Sequence, residues 1–490
     1  MRPHRNAGYR ISHWGIAAVL LSVFVAGGCD FLDPTNVNNP NPTAEDLASA
    51  SEPTRLLLPG LRAQTARAVA ANAVINEFVT DNWERTFSSV TGELDDPHVV
   101  NPDGGTFNST GAWGGYWHLQ ELRALSDFVL NEVAPEDPDA TDGLVAEAHY
   151  RRGLAFLMQG ENYIGVPIGR DEAPTPWDEL LELARQDFEQ ARSLVGPGDD
   201  LAVDVEALLA RTFRALGDAQ AAVEHANSAL ALDPNLVAGQ EFSAGEIEPP
   251  RLDRPAQPLP RLDFLDPKYS DRSSAMALAK AEEMHFILAE AAMAQGDYDE
   301  GASRLAAAVE IASTRPTREF NDPDLRLNLD VSVRPRDSEI LVRADPESPL
   351  RAGLIQDRPG PVTVHYISGT SLDADSLAAL TDPGDIRHAL WLARQEVLYL
   401  EGRRLHDLGV RLPVAARDID PSPAIDWGDP VTEPQVPTYI EQGLMTQYTP
   451  RSPYRDPSAG GELATNEITI AVDMNRVLAE ERVSAFGTLP

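Results

Sequence analysis

Glu401, Arg404 and Asp407 recur three residues apart, a spacing that on a helix puts two carboxylates and a guanidinium on one face. Two carboxylates so placed could share general acid and base work. An arginine between them ties them instead as acid, base, acid, and with no further partner at hand the spacing favours a structural role. The chain offers little else for catalysis. It has no GxSxG, HExxH or P-loop sequence, and its one cysteine is Cys29. Its ten histidines are scattered, and His118, His149, His285 and His406 fall on helical stretches where packing or surface placement accounts for them. The expectation is a protein that binds without a chemical step.

A second group of residues suits binding. Trp83, Trp113, Tyr116 and Trp117 bracket a polar, glycine-rich loop from Thr91 to Gly115. A flat apolar ring with one polar handle can stack against a sugar or pack beneath the loop itself, so these four are the candidate ligand-binding residues. Asp95, Asp96, Asn101 and Asp103 in the same loop do not follow the spacing of a calcium loop. They read as solvated acids, and neither a metal ion nor a cofactor is expected.

A formal net charge of −37 argues against nucleic acid or an anionic lipid surface as partner, since either would be repelled. Lysine occurs only at Lys268 and Lys280, which reads as a bias of base composition. At the amino end, Arg2, Arg5 and Arg10 precede an apolar run from Trp14 to Ala26 that is too short for a comfortable transmembrane helix. Ala26-Gly27-Gly28-Cys29 then forms a small-residue cleavage site, which makes residues 1–28 a signal peptide. The position of Cys29 resembles the lipobox of bacterial lipoproteins, with Ala26 where leucine is commonest. That resemblance implies lipidation of Cys29 and an acyl anchor that holds the protein to a membrane without spanning it. The alternative is a secretory peptide with an incidental cysteine. Residues 29–53, rich in proline and asparagine, read as a tether.

The rest, 54–490, reads as one helical domain. Helical pattern runs from Thr54 towards Val90 and again from Tyr116 to Val133. Helical hairpins are expected at about 145–195, 206–234 and 281–313, and a further helix over 386–410. In the second hairpin, Leu216-Gly217-Asp218 supplies the turn, Ala222, Ala226 and Ala229 give a narrow small-residue face, and Pro234 ends the helix. With Leu209, Ala210 and Phe213, those alanines and the proline resemble the signature of a tetratricopeptide (TPR) repeat. Placing Gly296 on Gly217 aligns a weaker copy in which Gly301 and Leu305 replace Ala222 and Ala226. One such hairpin cannot bury its own apolar face, so several must stack. Between the helices, 236–274 and 316–384 are irregular and rich in proline, with short strand-like runs such as Ile340–Arg343 and Val362–Tyr366.

Three stretches carry a more specific resemblance. Arg152, Phe156 and Gly165-Val166-Pro167 match a "RAxxYFxLxxxYGxVP" segment, with Gly153 in place of alanine and Ile164 in place of an aromatic. Ala281-Glu282 through Ala289-Glu290-Ala291 matches "AExxLxxAEAxxRxGD". Glu401-Gly402, Arg404 and Asp407-Leu408 match "ERRxELAFEGxRxxDL", with Val397 in place of its first glutamate and His406 at an aromatic position. In this order and spacing they resemble the SusD/RagB family of outer-membrane nutrient-binding lipoproteins, from about Cys29 to Leu412. The asparagine-proline motifs that often close family members are absent. The resemblance implies an all-α, TPR-like scaffold whose irregular insertions build the ligand-facing surface. It further implies a non-enzymatic, lipid-anchored protein facing outward from the outer membrane. Such a protein would capture an oligosaccharide or other nutrient and hand it to a TonB-dependent, SusC-like transporter. Two other readings stay open: a lipid-anchored TPR-type adaptor that binds proteins through its helical groove, and a glycan hydrolase working through loop carboxylates.

Overall fold

Pro53 opens the first described helix, where its missing N–H would have had no partner. In the computed structural model this helix, α1 (Pro53–Phe78), becomes the centre of the fold. From Thr65 to Phe78 every residue except Arg67 is buried, because alanine, valine and isoleucine occupy all sides and neighbours pack around it. The structure describes residues 50–85, 92–169, 171–196, 198–242, 249–250, 256–269, 271–321, 337–358, 360–455, 462–482 and 484–486. The expected signal peptide, Cys29 and nearly all of the tether lie outside them. By its contacts the chain divides into Met1–Pro53 and Thr54–Pro490. No described helix is long and apolar enough to cross a membrane.

The scaffold is a row of antiparallel helices: α2 (Gly115–Phe128), α3 (Asp142–Asn162), α4 (Trp177–Leu194), α5 (Asp200–Leu216), α6 (Ala219–Leu232), α7 (Ala281–Ala294) and α8 (Tyr298–Thr314). Each packs on the next, and α8 passes the stack to α10 (Pro383–Val397), with the one-turn α9 (Ala374–Ala378) against α8. The α5–α6 and α7–α8 turns are the same device used twice. Gly217 and Gly296 end their helices in the left-handed region, at φ of 79° and 81°. The next residue caps the following helix: the Asp218 carboxylate accepts from the Ala221 N–H at 3.0 Å, and that of Asp297 from the Glu300 N–H at 3.1 Å. Ala222, Ala226 and Ala229 are fully buried, and Leu305 and Ala308 nearly so, at the corresponding positions.

The α3–α4 hairpin explains one departure from the family pattern. A Cβ on Gly153 would sit 2.9 Å from the Phe188 ring, so an alanine there would force the two helices apart. Arg152 reaches across the same interface, donating to both Asp187 oxygens at 2.7 and 2.8 Å and to Asp127 at 2.9 Å. Gly165 and Val166 form β2 (Gly165–Val166), antiparallel to β3 (Thr175–Pro176), and Pro167 follows at its end.

The irregular regions supply small sheets. β4 (Val237–Gln240) pairs with β6 (Met276–Lys280), β1 (Trp83–Arg85) with β5 (Ala256–Pro258), and β7 (Thr317–Phe320) with β9 (Val362–His365), all antiparallel. β11 (Glu467–Ile470) lies between β10 (Tyr448–Thr449) and β8 (Leu341–Arg343). These segments are less solvent-facing than the sequence suggests: Leu259, Leu262, Phe264, Leu265 and Tyr269 are all buried. Helix covers about 51 % of the described residues and the sheets stay small, so the class is all-α, with TPR-like hairpins and long insertions.

The expected helix over 386–410 is interrupted. α10 stops at Val397, and a turn with Leu400 at φ 60° and Gly402 at φ 70° leads into the short α11 (Arg404–Leu408). Only glycine adopts that conformation freely, and a Cβ on Gly402 would also approach Asn72 of α1 to 3.2 Å. Glu401, Arg404 and Asp407 therefore do not pair with one another. Glu401 accepts from Lys268 and Lys280, each at 2.6 Å. Arg404 forks onto Asp81 at 2.6 and 2.7 Å and donates to Asn475 at 2.9 Å. Asp407 accepts two bonds from Arg394, both at 2.9 Å, and one from Arg214 at 3.1 Å. Burial alone would raise the Asp407 carboxyl, but Arg394 and Arg214 outweigh it and hold it well below the usual carboxylate range. Each of the three is instead held by charges or amides from other parts of the chain. The chain's two lysines are not a mere compositional residue, since both meet a single buried carboxylate.

Candidate functional site

Trp117 and Gln120, one turn apart on α2, share a face with Arg123 and Ala124 because helical residues three and four apart stand side by side. Opposite them, Ile168 and Gly169 follow β2, and Asp418, Pro421 and Ser422 run through and past the one-turn α12 (Ala416–Ile419). Together they enclose an open cleft of about 370 Å³. That lies near the lower end of small-ligand sites, roughly 300–1,000 Å³.

Hydrogen bonds fix the cleft wall. The buried Tyr116 hydroxyl donates to Asp418 Oδ2 at 2.6 Å, and Gln120 Nε2 donates to the same oxygen at 3.1 Å and to the Pro167 carbonyl at 3.0 Å. Gln120 in turn accepts from Gln159 at 3.0 Å and from Arg123 at 3.2 Å. Burial, then the Asp418 charge, push the Tyr116 hydroxyl well above its usual pKa, so it remains a donor at neutral pH. Asp418 Oδ1 takes no partner among the described residues and is left to accept from whatever enters. The Arg417 guanidinium lies 4.7 Å from the Trp117 ring centre and donates to Asn108 Oδ1 at 3.0 Å, clamping the loop before α2 to α12.

The four sequence-predicted aromatics separate into different roles. Trp117 lines the cleft and is half-buried. Trp113 is half-buried but packs its ring 5.5 Å from Phe78, away from the cleft lining. Trp83 and Tyr116 are corrected: at 2 % and 1 % exposure neither can stack on a ligand. Trp83 meets Phe78 edge-on at 5.3 Å and donates its Nε1 proton to the Tyr399 hydroxyl at 2.7 Å. Tyr116 packs edge-on against Tyr163 at 5.2 Å. Both belong to the core because the loop they flank folds down onto α1.

Of the loop residues read as solvated, Asn101 and Asp103 are exposed, and Asp96 differs from expectation. Asp96 is buried and accepts from the His98 N–H at 2.8 Å and the Gly443 N–H at 2.5 Å, so it pins distant turns together. Among the described residues no group of His, Cys, Asp and Glu could hold a metal ion. Sequence reasoning missed Arg417, Asp418 and Trp427. Trp427 is 53 % exposed, and its Nε1 donates to Asp420 Oδ1 at 3.0 Å, which anchors the indole beside the segment that forms the cleft wall. The available signal was a tryptophan inside the turn-rich Asp426-Trp427-Gly428-Asp429.

No family model matches the chain, and no curated protein matches it. Among solved structures the chain is similar to SusD superfamily proteins. One, from Bacteroides thetaiotaomicron, shares 12 % identity over 76 % of this chain and 98 % of its own, with a TM-score of 0.49. A second, from Bacteroides vulgatus, shares 10 % identity over 77 % of this chain and 98 % of its own, also at 0.49. A third, described as a SusD-like carbohydrate binding protein from Bacteroides vulgatus, shares 13 % identity over 72 % of this chain and 82 % of its own, at 0.45.

Proposed function

We propose that this chain is a non-enzymatic, cell-surface nutrient-binding lipoprotein. It would take an oligosaccharide in the Trp117–Asp418 cleft and deliver it to a TonB-dependent, SusC-like transporter in the outer membrane. The observation that carries the reading is the open cleft lined by the half-buried Trp117 ring and by Asp418, whose Oδ1 takes no partner among the described residues. A sugar presents apolar ring faces edged by hydroxyls, and this arrangement offers an aromatic face edged by an acceptor. Anchoring rests on the lipobox-like Cys29, and the transporter partner rests on the family motifs around Arg152, Ala281 and Glu401. No chemical step is assigned, because the chain carries no GxSxG, HExxH or P-loop sequence and Asp418 Oδ2 is held by Tyr116 and Gln120.

Two measurements test this. Titration calorimetry against oligosaccharides should give binding that Trp117→Ala weakens, with no hydrolysis in the recovered ligand. Turnover of any glycan by the pure protein would refute the non-enzymatic assignment. Gentle detergent extraction from its own membranes should bring down a large β-barrel in equal amount. Recovery alone, or with periplasmic assembly factors, would remove nutrient uptake and leave the helical groove as the working surface.

A further inference from the structure

A second cleft, of about 410 Å³, opens between α2, α3 and α4, and it shares Arg123 and Ile168 with the first. The two hollows are thus neighbours separated by one pair of side chains. The charged groups of the second are already satisfied, most by one another and Glu189 by Arg185 outside it at 2.5 Å. Arg152 is held by Asp187 and Asp127, Arg123 donates to Asp127 at 2.7 Å, and His149 Nδ1 lies 2.7 Å from Asp187 Oδ1. A charged ligand would have to break these pairs and leave one member uncompensated. What the cleft leaves free is different in kind. Gln186 and Gln190, one turn apart on α4, are exposed, and their side-chain amides take no partner among the described residues. Phe156, 5 % exposed, and Leu183 give the cleft apolar lining. Amides that both donate and accept, over an apolar floor, match hydroxyls on a hydrocarbon ring.

From this we infer that the α2–α3–α4 cleft is a second subsite, continuous with the first across Arg123 and Ile168, and that the ligand is an uncharged oligosaccharide long enough to occupy both. This rests on the oligosaccharide reading of the first cleft. Among the described lining residues, Glu121, Asp171, Glu172 and Asp418 at the first cleft and Glu189 at the second bring negative charge to the groove, so it disfavours uronate chains.

The test is calorimetry of the full chain against neutral ladders built on maltose, cellobiose, xylobiose and mannobiose, from disaccharide to hexasaccharide, with an oligogalacturonate ladder as the acidic control. At least one neutral ladder should bind, its hexamer about tenfold or more tighter than its dimer. The Gln186→Ala/Gln190→Ala variant should lose that gain while binding the dimer as the parent does; both residues are exposed, so folding is not at risk. Equal affinity for dimer and hexamer would overturn the second subsite. So would a variant that weakens both alike or neither, or tighter binding of the acidic ladder. Failure of every ladder would overturn the oligosaccharide reading itself and this inference with it.

Discussion

Replacing Glu401 with glutamine removes one negative charge from a site where two ammonium groups converge. Lys268 and Lys280 are 3 % and 0 % exposed, and Glu401 Oε1 accepts from both at 2.6 Å. The lysines keep some support without it. Lys268 also donates to the Tyr399 carbonyl at 2.7 Å, and Lys280 to the carbonyls of Val397 at 2.6 Å and Ile367 at 3.0 Å. Those carbonyls carry partial charge only, so the ammonium groups lose the one carboxylate they both contact, with Glu77 and Glu282 acting on them only from farther off. Removing one partner of a buried ion pair costs about 3–5 kcal/mol, a large share of a domain stability of roughly 5–15 kcal/mol. The expected result is a fall in the urea midpoint of Glu401→Gln at unchanged slope, followed by circular dichroism. The effect should also shrink as pH rises. Burial, against the pull of Glu401, lowers Lys268 to about 8, below its ordinary 10.5. A lowered lysine binds fewer protons folded than unfolded, so stability from this group rises with pH between the two values. Without Glu401 the folded value drops further, and the rise should start below pH 8. Lys268→Met/Lys280→Met/Glu401→Leu, which removes all three charges, should cost less than Glu401→Gln alone. A midpoint unchanged by Glu401→Gln, or a triple variant weaker than the single, would refute the argument.

Burial and the nearby Asp200 raise Asp204 to about 7, so its protonated form favours folding at acid pH and that stability is lost as pH rises through about 7. Asp204→Asn should therefore melt higher than the parent at pH 8 and match it near pH 4; equal curves at both would contradict this. Trp83→Ala should lower stability by about 3–5 kcal/mol through the cavity it leaves under Tyr399 and Phe78. Trp117→Ala should leave melting almost unchanged while weakening glycan binding about tenfold or more, and the reverse pattern would exchange the roles assigned to these two residues. Cys29→Ser should move the protein from the membrane fraction to the soluble fraction on cell fractionation; unchanged membrane retention would remove the acyl anchor.

Local signals explain why the hairpins were legible. Gly217-Asp218 and Gly296-Asp297 carry their instructions within a few residues, as a left-handed stop followed by a cap, and the alanine face of α6 has a period that any helix would express. The same reasoning misjudged α10 and α11. Three-residue spacing describes an uninterrupted helix, whereas the conformation of Gly402 and the closeness of α1 interrupt it. The candidate site was half legible. Trp117 stood out beside a loop, but its hydrogen-bonded wall comes from Asp418, in a tail that lacks periodicity.

By itself, the sequence determined the helical class, the hairpin turns, the acidic character that disfavours anionic partners and the motif series that points to SusD-like proteins. Tertiary structure alone decided which charges meet and which aromatics are free. Arg404 finds Asp81 at a separation of 323 residues, Lys268 finds Glu401 at 133, and Tyr116 finds Asp418 at 302. The reason is physical: helix stops and caps are satisfied by neighbours along the chain, whereas a buried charge or ring is satisfied by whatever the fold brings to it.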